Sequence, residues 1–345
     1  KQMFFPELSL GWQIVIGITL TWVAVLVNII TLDVGKWVPN LGAVLKVIIF
    51  LVLIAGAINY TQLHGMANPL TWDTLKPDWG NSLQYIPAII YGMLGFELVS
   101  AGSEEMNDPA RDVPRAIFMS GVIIIVLYLF GTMAVLAAIP ADHINLVEGL
   151  VDTLNLFFAG SAAGEAIVLV LGIAAMYTFF SNGVTWALGC NRAAAEAAME
   201  GELPKIFAIE SKTRATPVGA AVLMGIVSTI TLGLYGFMSG SNEDLFWSLF
   251  AFSAIIFLLP YQGMLLAFVR MRVVDADHPR PYKIPGGLLV AQLCAWTCIL
   301  VLSLAIVLFI YTPGEGVQMP VAMGVIFMLV LGEVVIRYAE NYRRS

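Results

Sequence analysis

The residues of this 345-residue chain best placed to do chemistry lie in one stretch, GMLGFELVSAGSEEMNDPARDVPRA, residues 92–116. It joins two glycines, Gly92 and Gly95, to a carboxylate, Glu97, set among Phe, Leu and Val. Glycine weakens a helix by about 1 kcal/mol relative to alanine. A carboxylate at the centre of a membrane span costs at least about 2.5–3.5 kcal/mol on insertion scales. Broken backbone at membrane depth is tolerated where it is buried in protein or lines a wet cavity. The stretch therefore predicts a discontinuous helix whose freed amide and carbonyl groups face a substrate. The competing reading is a packing notch beside a neutral, hydrogen-bonded acid. In the EEMNDPARDVP that follows, Glu104, Glu105 and Asp108 sit beside Arg111, Asp112 and Arg115, and Pro109 and Pro114 stop and restart helices. It reads as an ion-paired turn, with a gating role as the alternative.

Three further positions carry chemistry inside apolar segments. Lys46, in LGAVLKVIIFLVL, either snorkels to a membrane surface or is a buried ammonium that carries a proton or stands in for a cation. Trp186 follows Ser181, Asn182 and Gly183, a polar notch in FFSNGVTWALG. Tyr261 follows Pro260, whose missing N–H is expected to interrupt its helix. Aromatic residues in spans also serve as core or as interfacial belt, so these two are open to either role.

The elements that must position these residues follow from composition. The chain is 59% hydrophobic and 12% charged, with a mean hydropathy of +0.86, against about 45–50% and about 25% for a soluble domain. It reads as an all-α membrane protein. With roughly 20 apolar residues per crossing, nine spans are expected at about 10–32, 39–60, 83–104, 114–139, 163–190, 217–238, 245–271, 287–311 and 319–338. Charge sets their direction. Lys36, Arg111, Arg115, Arg192, Lys205, Lys212, Arg214, Arg270, Arg272, Arg280, Lys283, Arg337, Arg343 and Arg344 fall on one side. Of the 17 basic residues only Lys1, Lys76 and the intramembrane Lys46 do not. That side is cytoplasmic and holds the C-terminus. Nine spans then put residue 1 outside, which for a chain without a signal peptide leads us to expect three further spans upstream. Residues 191–214 read as a short amphipathic helix ended by Gly201 and Pro204, and 140–160 as an outer segment too polar to span.

Several function classes are excluded or left without support. There is no GxxxxGK[ST] phosphate loop and no HExxH, and His64, His143 and His278 are all expected in loops. No enzyme, cofactor or metal site is expected. Cys190, Cys294 and Cys298 form no CxxC and read as small hydrophobes. The absence of a basic run with interleaved aromatics gives nucleic-acid binding no footing, and the net charge of −7 matters less than how the charges are distributed.

GFELVSAGSEEMNDPARDVPRA resembles the sixth helix and following loop of the amino acid/polyamine/organocation permeases, within them most of all the glutamate/γ-aminobutyrate antiporter group. IPADHINLVEGLVDT, HPRPYKIPGG and the W-x-x-G-x-x-R of Trp186–Arg192 are similar to that group's segments after the seventh, after the tenth and at the end of the eighth helix. The likeness covers essentially the whole chain, as helices four to twelve of a twelve-helix transporter. It implies a five-plus-five inverted-repeat fold lacking its first three helices: one membrane domain, with 10–60 ending the first repeat, 83–271 forming the second and 287–338 adding two helices. It also implies a substrate site at the unwound sixth helix. By that resemblance Tyr91, Leu94, Gly95, Phe96, Glu97, Asn182, Trp186, Phe257 and Tyr261 contact the substrate, and Lys46 or Glu97 takes the proton or cation site. Phe257 stands where the antiporter group has a second tyrosine. The C-terminus, RYAENYRRS, departs from the long tail that plugs acid-activated members.

The expectation is an amino acid antiporter of glutamate/γ-aminobutyrate type in a bacterial inner membrane, with small-molecule amino acids and membrane lipid as its partners. The alternatives are a proton-coupled permease for neutral amino acids or polyamines, and a non-transporting structural or sensory membrane protein.

Overall fold

A computed structural model describes residues 8–30, 37–76, 82–95, 106–144, 149–160, 162–212, 216–280 and 282–344 of the chain. In chain order its helices are α1 (Leu10–Ile30), α2 (Trp37–His64), α3 (Trp72–Leu75), α4 (Ile86–Gly92), α5 (Pro109–Ala138) and α6 (Gly149–Phe158). They continue with α7 (Ala162–Met199), α8 (Val218–Met238), α9 (Asn242–Val274), α10 (Gly287–Ile310) and α11 (Met319–Arg344). Short 3-10 turns lie at Ala141–His143 and Lys205–Ala208. A two-stranded hairpin pairs β1 (Tyr311–Thr312) antiparallel with β2 (Gly316–Val317), Tyr311 facing Val317.

Eight of these helices (α1, α2, α5 and α7 to α11) are long and apolar enough to cross a bilayer. They fall on eight of the nine spans expected from hydropathy. The ninth, 83–104, is represented by the seven residues of α4, and residues 96–105 lie outside those described.

Three expected helix boundaries are corrected. Residues 191–199 do not form a separate amphipathic helix but continue α7, a single helix of 38 residues. Their sequence, NRAAAEAAM, is alanine-rich, the strongest helix-forming composition. Nothing stops it until Gly201, at φ 82°. Pro260 does not interrupt α9, which runs through it, and Pro114 lies inside α5 rather than restarting a helix. Each proline removes one backbone hydrogen bond, a loss that neighbouring groups and small local adjustments absorb in membrane helices.

The chain divides into two compact units. The first comprises residues 1–74, 126–245 and 332–345. In it α1 lies on α7 and α8, and α2 on α6 and α7. Lipid tails offer no hydrophobic gain for bringing helices together, so small residues that allow close approach do the work. On α8 Gly225 sits against Val25 and Trp22, while the Trp22 indole N–H donates to Thr229 Oγ1 at 3.1 Å. Ile49, Leu53, Ala57, Ala134, Leu154, Leu171 and Ala175 form a continuous core among α2, α5, α6 and α7. At the end of α5 the Asn68 amide donates to the carbonyls of Leu136 (2.6 Å) and Ile139 (2.8 Å) and accepts from Ala141 N–H. One side chain thus satisfies helix-end carbonyls that have no partner within the helix.

The second unit comprises residues 75–125 and 246–331. Here α10 packs on α4. Gln262 of α9 donates to Ile299 O at 3.2 Å and to Ser303 Oγ at 3.0 Å on α10, and Phe250 meets Phe309 at 5.9 Å between centroids. Arg280 closes the end of α9: its guanidinium donates to the carbonyls of Met271, Asp275, Ala276 and His278. Arg280 is therefore a cap on a helix C-terminus, where a cation also suits the helix dipole.

Candidate substrate site

Within the second unit, α4 is a short helix with Pro87 in its first turn and a defined end. Met93 N–H reaches back to the carbonyls of Ile89 and Ile90, both at 3.2 Å, and Leu94 N–H to Tyr91 O at 3.2 Å. The chain then reaches Gly95 at φ 105°, in the left-handed region that side chains with a Cβ avoid. The helix stops at Gly92, and three residues later Gly95 takes the left-handed conformation. Tyr91, Leu94 and Gly95 are all half-buried. Phe96 and Glu97 lie outside the described residues.

Directly beside this helix end is an aromatic cluster. The Tyr91 ring stands edge-on to Phe250 (5.1 Å, 89°) and to Phe257 (5.7 Å, 90°), and Phe257 in turn meets Tyr261 (5.0 Å, 64°). The Tyr91 hydroxyl pairs with Ser253, whose own hydroxyl donates to Phe250 O at 3.0 Å. Three of the residues singled out in the sequence, Tyr91, Phe257 and Tyr261, are thus brought together. Two more, Phe250 and Ser253, join them without having been singled out. The signal for these was present: positions 250, 253, 257 and 261 recur at helical spacing along one side of α9.

The first unit holds the remaining candidates. Asn182 and Trp186 are four residues apart on α7 and so share a face, Asn182 exposed and Trp186 half-buried. Ser181, read as part of the same polar notch, points the other way. It is buried, and its hydroxyl donates to Val38 O on α2 at 2.8 Å. Tyr177 OH donates to the same carbonyl at 3.3 Å. Gly42 lies so close to Ser181 that a Cβ there would collide with it. Ser181 therefore ties two helices together. Lys46, one turn beyond Gly42 on α2, is exposed. A cavity of about 660 Å³ lies between the ends of α7 and α11, lined by Met199, Leu203, Lys205 and Tyr338 among others, and by none of the candidate site residues. Among the described residues no three His, Cys, Asp or Glu side chains gather as a metal would require.

Long apolar helices joined by polar groups that bond across them define an all-α integral membrane protein. The profile of the Amino acid permease family matches residues 2–331, and the chain belongs to that family of transporters. The chain is 33% identical over 343 residues to the probable agmatine/putrescine antiporter of Lactococcus lactis, a match covering 97% of this chain and 72% of that one. It is 27% identical over 305 residues to an uncharacterised transporter of Legionella pneumophila (87% and 64%). It is also 25% identical over 223 residues to a glutamate/γ-aminobutyrate antiporter of Lactococcus lactis (63% and 44%). The matched part therefore spans from under half to under three-quarters of these relatives' lengths.

Proposed function

We propose that this chain works as, or within, a secondary exchanger that moves an amine derived from an amino acid across a bacterial inner membrane by alternating access, its C-terminus on the cytoplasmic side. The observation that carries the reading is the end of α4 at Gly92–Gly95 beside Tyr91, Phe257 and Tyr261. Carbonyls released at a helix C-terminus accept hydrogen bonds from an ammonium group. Aromatic faces add a cation–π attraction of about 0.5–2 kcal/mol. Glu97, two residues beyond Gly95 in the sequence, is the candidate for the counter-charge, and Leu94 and Phe96 are its neighbouring substrate-contact candidates. By the resemblance alone, Trp186 and Asn182 on α7 are further substrate-contact candidates and Lys46 on α2 is a candidate for the proton or cation site.

An agmatine- or putrescine-like substrate fits this chemistry, and the relative with 33% identity bears such a name. Glutamate/γ-aminobutyrate exchange is the second reading, supported by the 25% identity to an antiporter of that name. Phe257 weighs against it, because a phenyl ring offers no hydroxyl to a substrate carboxylate.

The test is exchange in proteoliposomes made with the full-length protein. Vesicles loaded with putrescine should take up labelled agmatine, and empty vesicles should not. Uptake that needs a pH gradient and no counter-substrate would replace exchange with proton coupling. Exchange of glutamate for γ-aminobutyrate alone would move the assignment to the second reading. Should no amine and no amino acid cross, transport is the wrong function. Glu97→Gln should slow exchange by roughly tenfold or more, the effect of about 1.4 kcal/mol. An unchanged rate at every pH removes Glu97 from the mechanism.

A further inference from the structure

The first unit contains a polar site that the transport reading does not use. It lies where α1, α7 and the segment entering α8 meet, at the end of the bundle that the basic residues assign to the cytoplasm. Asn28 of α1 is 6% exposed, Asn191 of α7 is 3% exposed and Thr216, just before α8, is 3% exposed. A buried amide atom without a hydrogen bond costs about 1–3 kcal/mol, and among the described residues two such atoms occur here. They are Asn28 Oδ1 and Asn191 Nδ2. The orientation of Asn28 is fixed, because its Nδ2 donates to Ala24 O at 3.1 Å. Its oxygen is therefore the atom left over. One group seeks a donor and the other an acceptor, yet the two do not bond each other.

Both asparagines line the same cavity, together with Leu188, Arg192, Thr216, Pro217 and Ala221. Its volume is about 10 Å³, close to the minimum of roughly 10–15 Å³ that admits one water molecule. Thr216 Oγ1 donates to Ile29 O at 3.0 Å, so its lone pairs remain as further acceptors.

We propose that this cavity is a binding site for a single water molecule, which joins the ends of α1, α7 and α8. The water donates one hydrogen to Asn28 Oδ1 and the other to Thr216 Oγ1, and accepts from Asn191 Nδ2. That is three hydrogen bonds, the usual number for a buried water. An alkali cation would compete poorly, since the lining residues include Asn191, whose buried Nδ2 is a donor, and the cationic Arg192. A chloride would face the lone pair of Asn28 Oδ1 and exceeds the space. The neutral molecule that both donates and accepts is the one that fits. The Asn-Arg at the close of the Trp186–Arg192 motif then has a division of labour, with Asn191 turned inward to the water and Arg192 exposed at the rim.

The experiment uses the full-length protein in detergent and in a high-resolution structure. A density peak should lie about 2.7–3.2 Å from Asn28 Oδ1, Asn191 Nδ2 and Thr216 Oγ1, the range of ordinary hydrogen bonds. A direct amide-to-amide contact, or a cavity with no peak, overturns the proposal. Melting temperatures in sodium, potassium and choline chloride, and in choline gluconate, should coincide at equal ionic strength. Dependence on any one ion makes the site an ion site and overturns the water. Asn28→Leu and Asn191→Leu should each lower the melting temperature, and the double variant should lose less than the two losses combined, because no buried partner is then stranded. Strict additivity contradicts the bridge. Where a leucine variant does not fold, the density and the salt series decide alone.

Discussion

α4 and α7 both carry glycines within apolar sequence, and they treat them differently. α4 stops at Gly92, and three residues later Gly95 adopts φ 105°. α7 runs through Gly183 and Gly189 without a break for 38 residues. Glycine therefore permits a break without imposing one. In α7 the glycines sit between residues that keep every other turn in place, with the opposite face held by Ser181, Val184, Ala187 and Asn191, all buried. In α4 the helix has seven residues, too few to resist a positive φ just beyond its end.

The contrast can be attacked by substitution, and the strongest test is Gly95→Val. A β-branched side chain is a genuine outlier at positive φ, so exchange by the full-length protein should fall by roughly tenfold or more, as for a loss above about 1.4 kcal/mol. Unimpaired exchange would mean that the turn after α4 is incidental. Next comes Gly42→Ala, which drives a methyl group into Ser181. Overpacking of this kind costs about 1–3 kcal/mol, visible as a lower melting temperature. Ser181→Ala removes only the hydrogen bond to Val38 O and should cost about 0.5–1.5 kcal/mol in the same assay. If it instead abolished transport while leaving stability intact, Ser181 would belong to the substrate path. Phe257→Tyr adds a hydroxyl to the aromatic cluster and should raise the preference for carboxylate-bearing substrates by less than about tenfold in competition assays. Smallest of all is Gly189→Ala. Nothing lies within 4 Å of the added Cβ, so stability should hold or rise by up to about 1 kcal/mol.

Hydropathy made most of the architecture legible, because a crossing helix must be long and apolar whatever it packs against. The end of α4 was also readable, since Gly92, Gly95 and Glu97 together contradict an ordinary span. Pro260 and Pro114 misled for a physical reason: whether a missing N–H breaks a helix depends on neighbours that sequence spacing does not reveal. Alanine-rich 191–199 misled because its polar face resembled a surface helix, while its propensity simply prolonged the helix before it. Tyr91, Phe257 and Tyr261 could be named from the sequence, but their meeting with Phe250 and Ser253 required the fold. Asn28 and Asn68 gave no sequence signal at all, because a lone polar residue near a helix end looks the same whether it faces water or a neighbouring carbonyl; Arg280 stood in a motif and in the charge pattern, but its role as a helix cap was not legible.

The length of α7 has a mechanical consequence. At about 1.5 Å per residue it measures roughly 57 Å, nearly twice the roughly 30 Å hydrocarbon layer. Pivoted at its Ala162 end by about 10°, such a rod would sweep its far tip through roughly 10 Å. Small rotations deep in the bilayer would thus become large excursions at Met199, and a spectroscopic label there would register them as changes in distance.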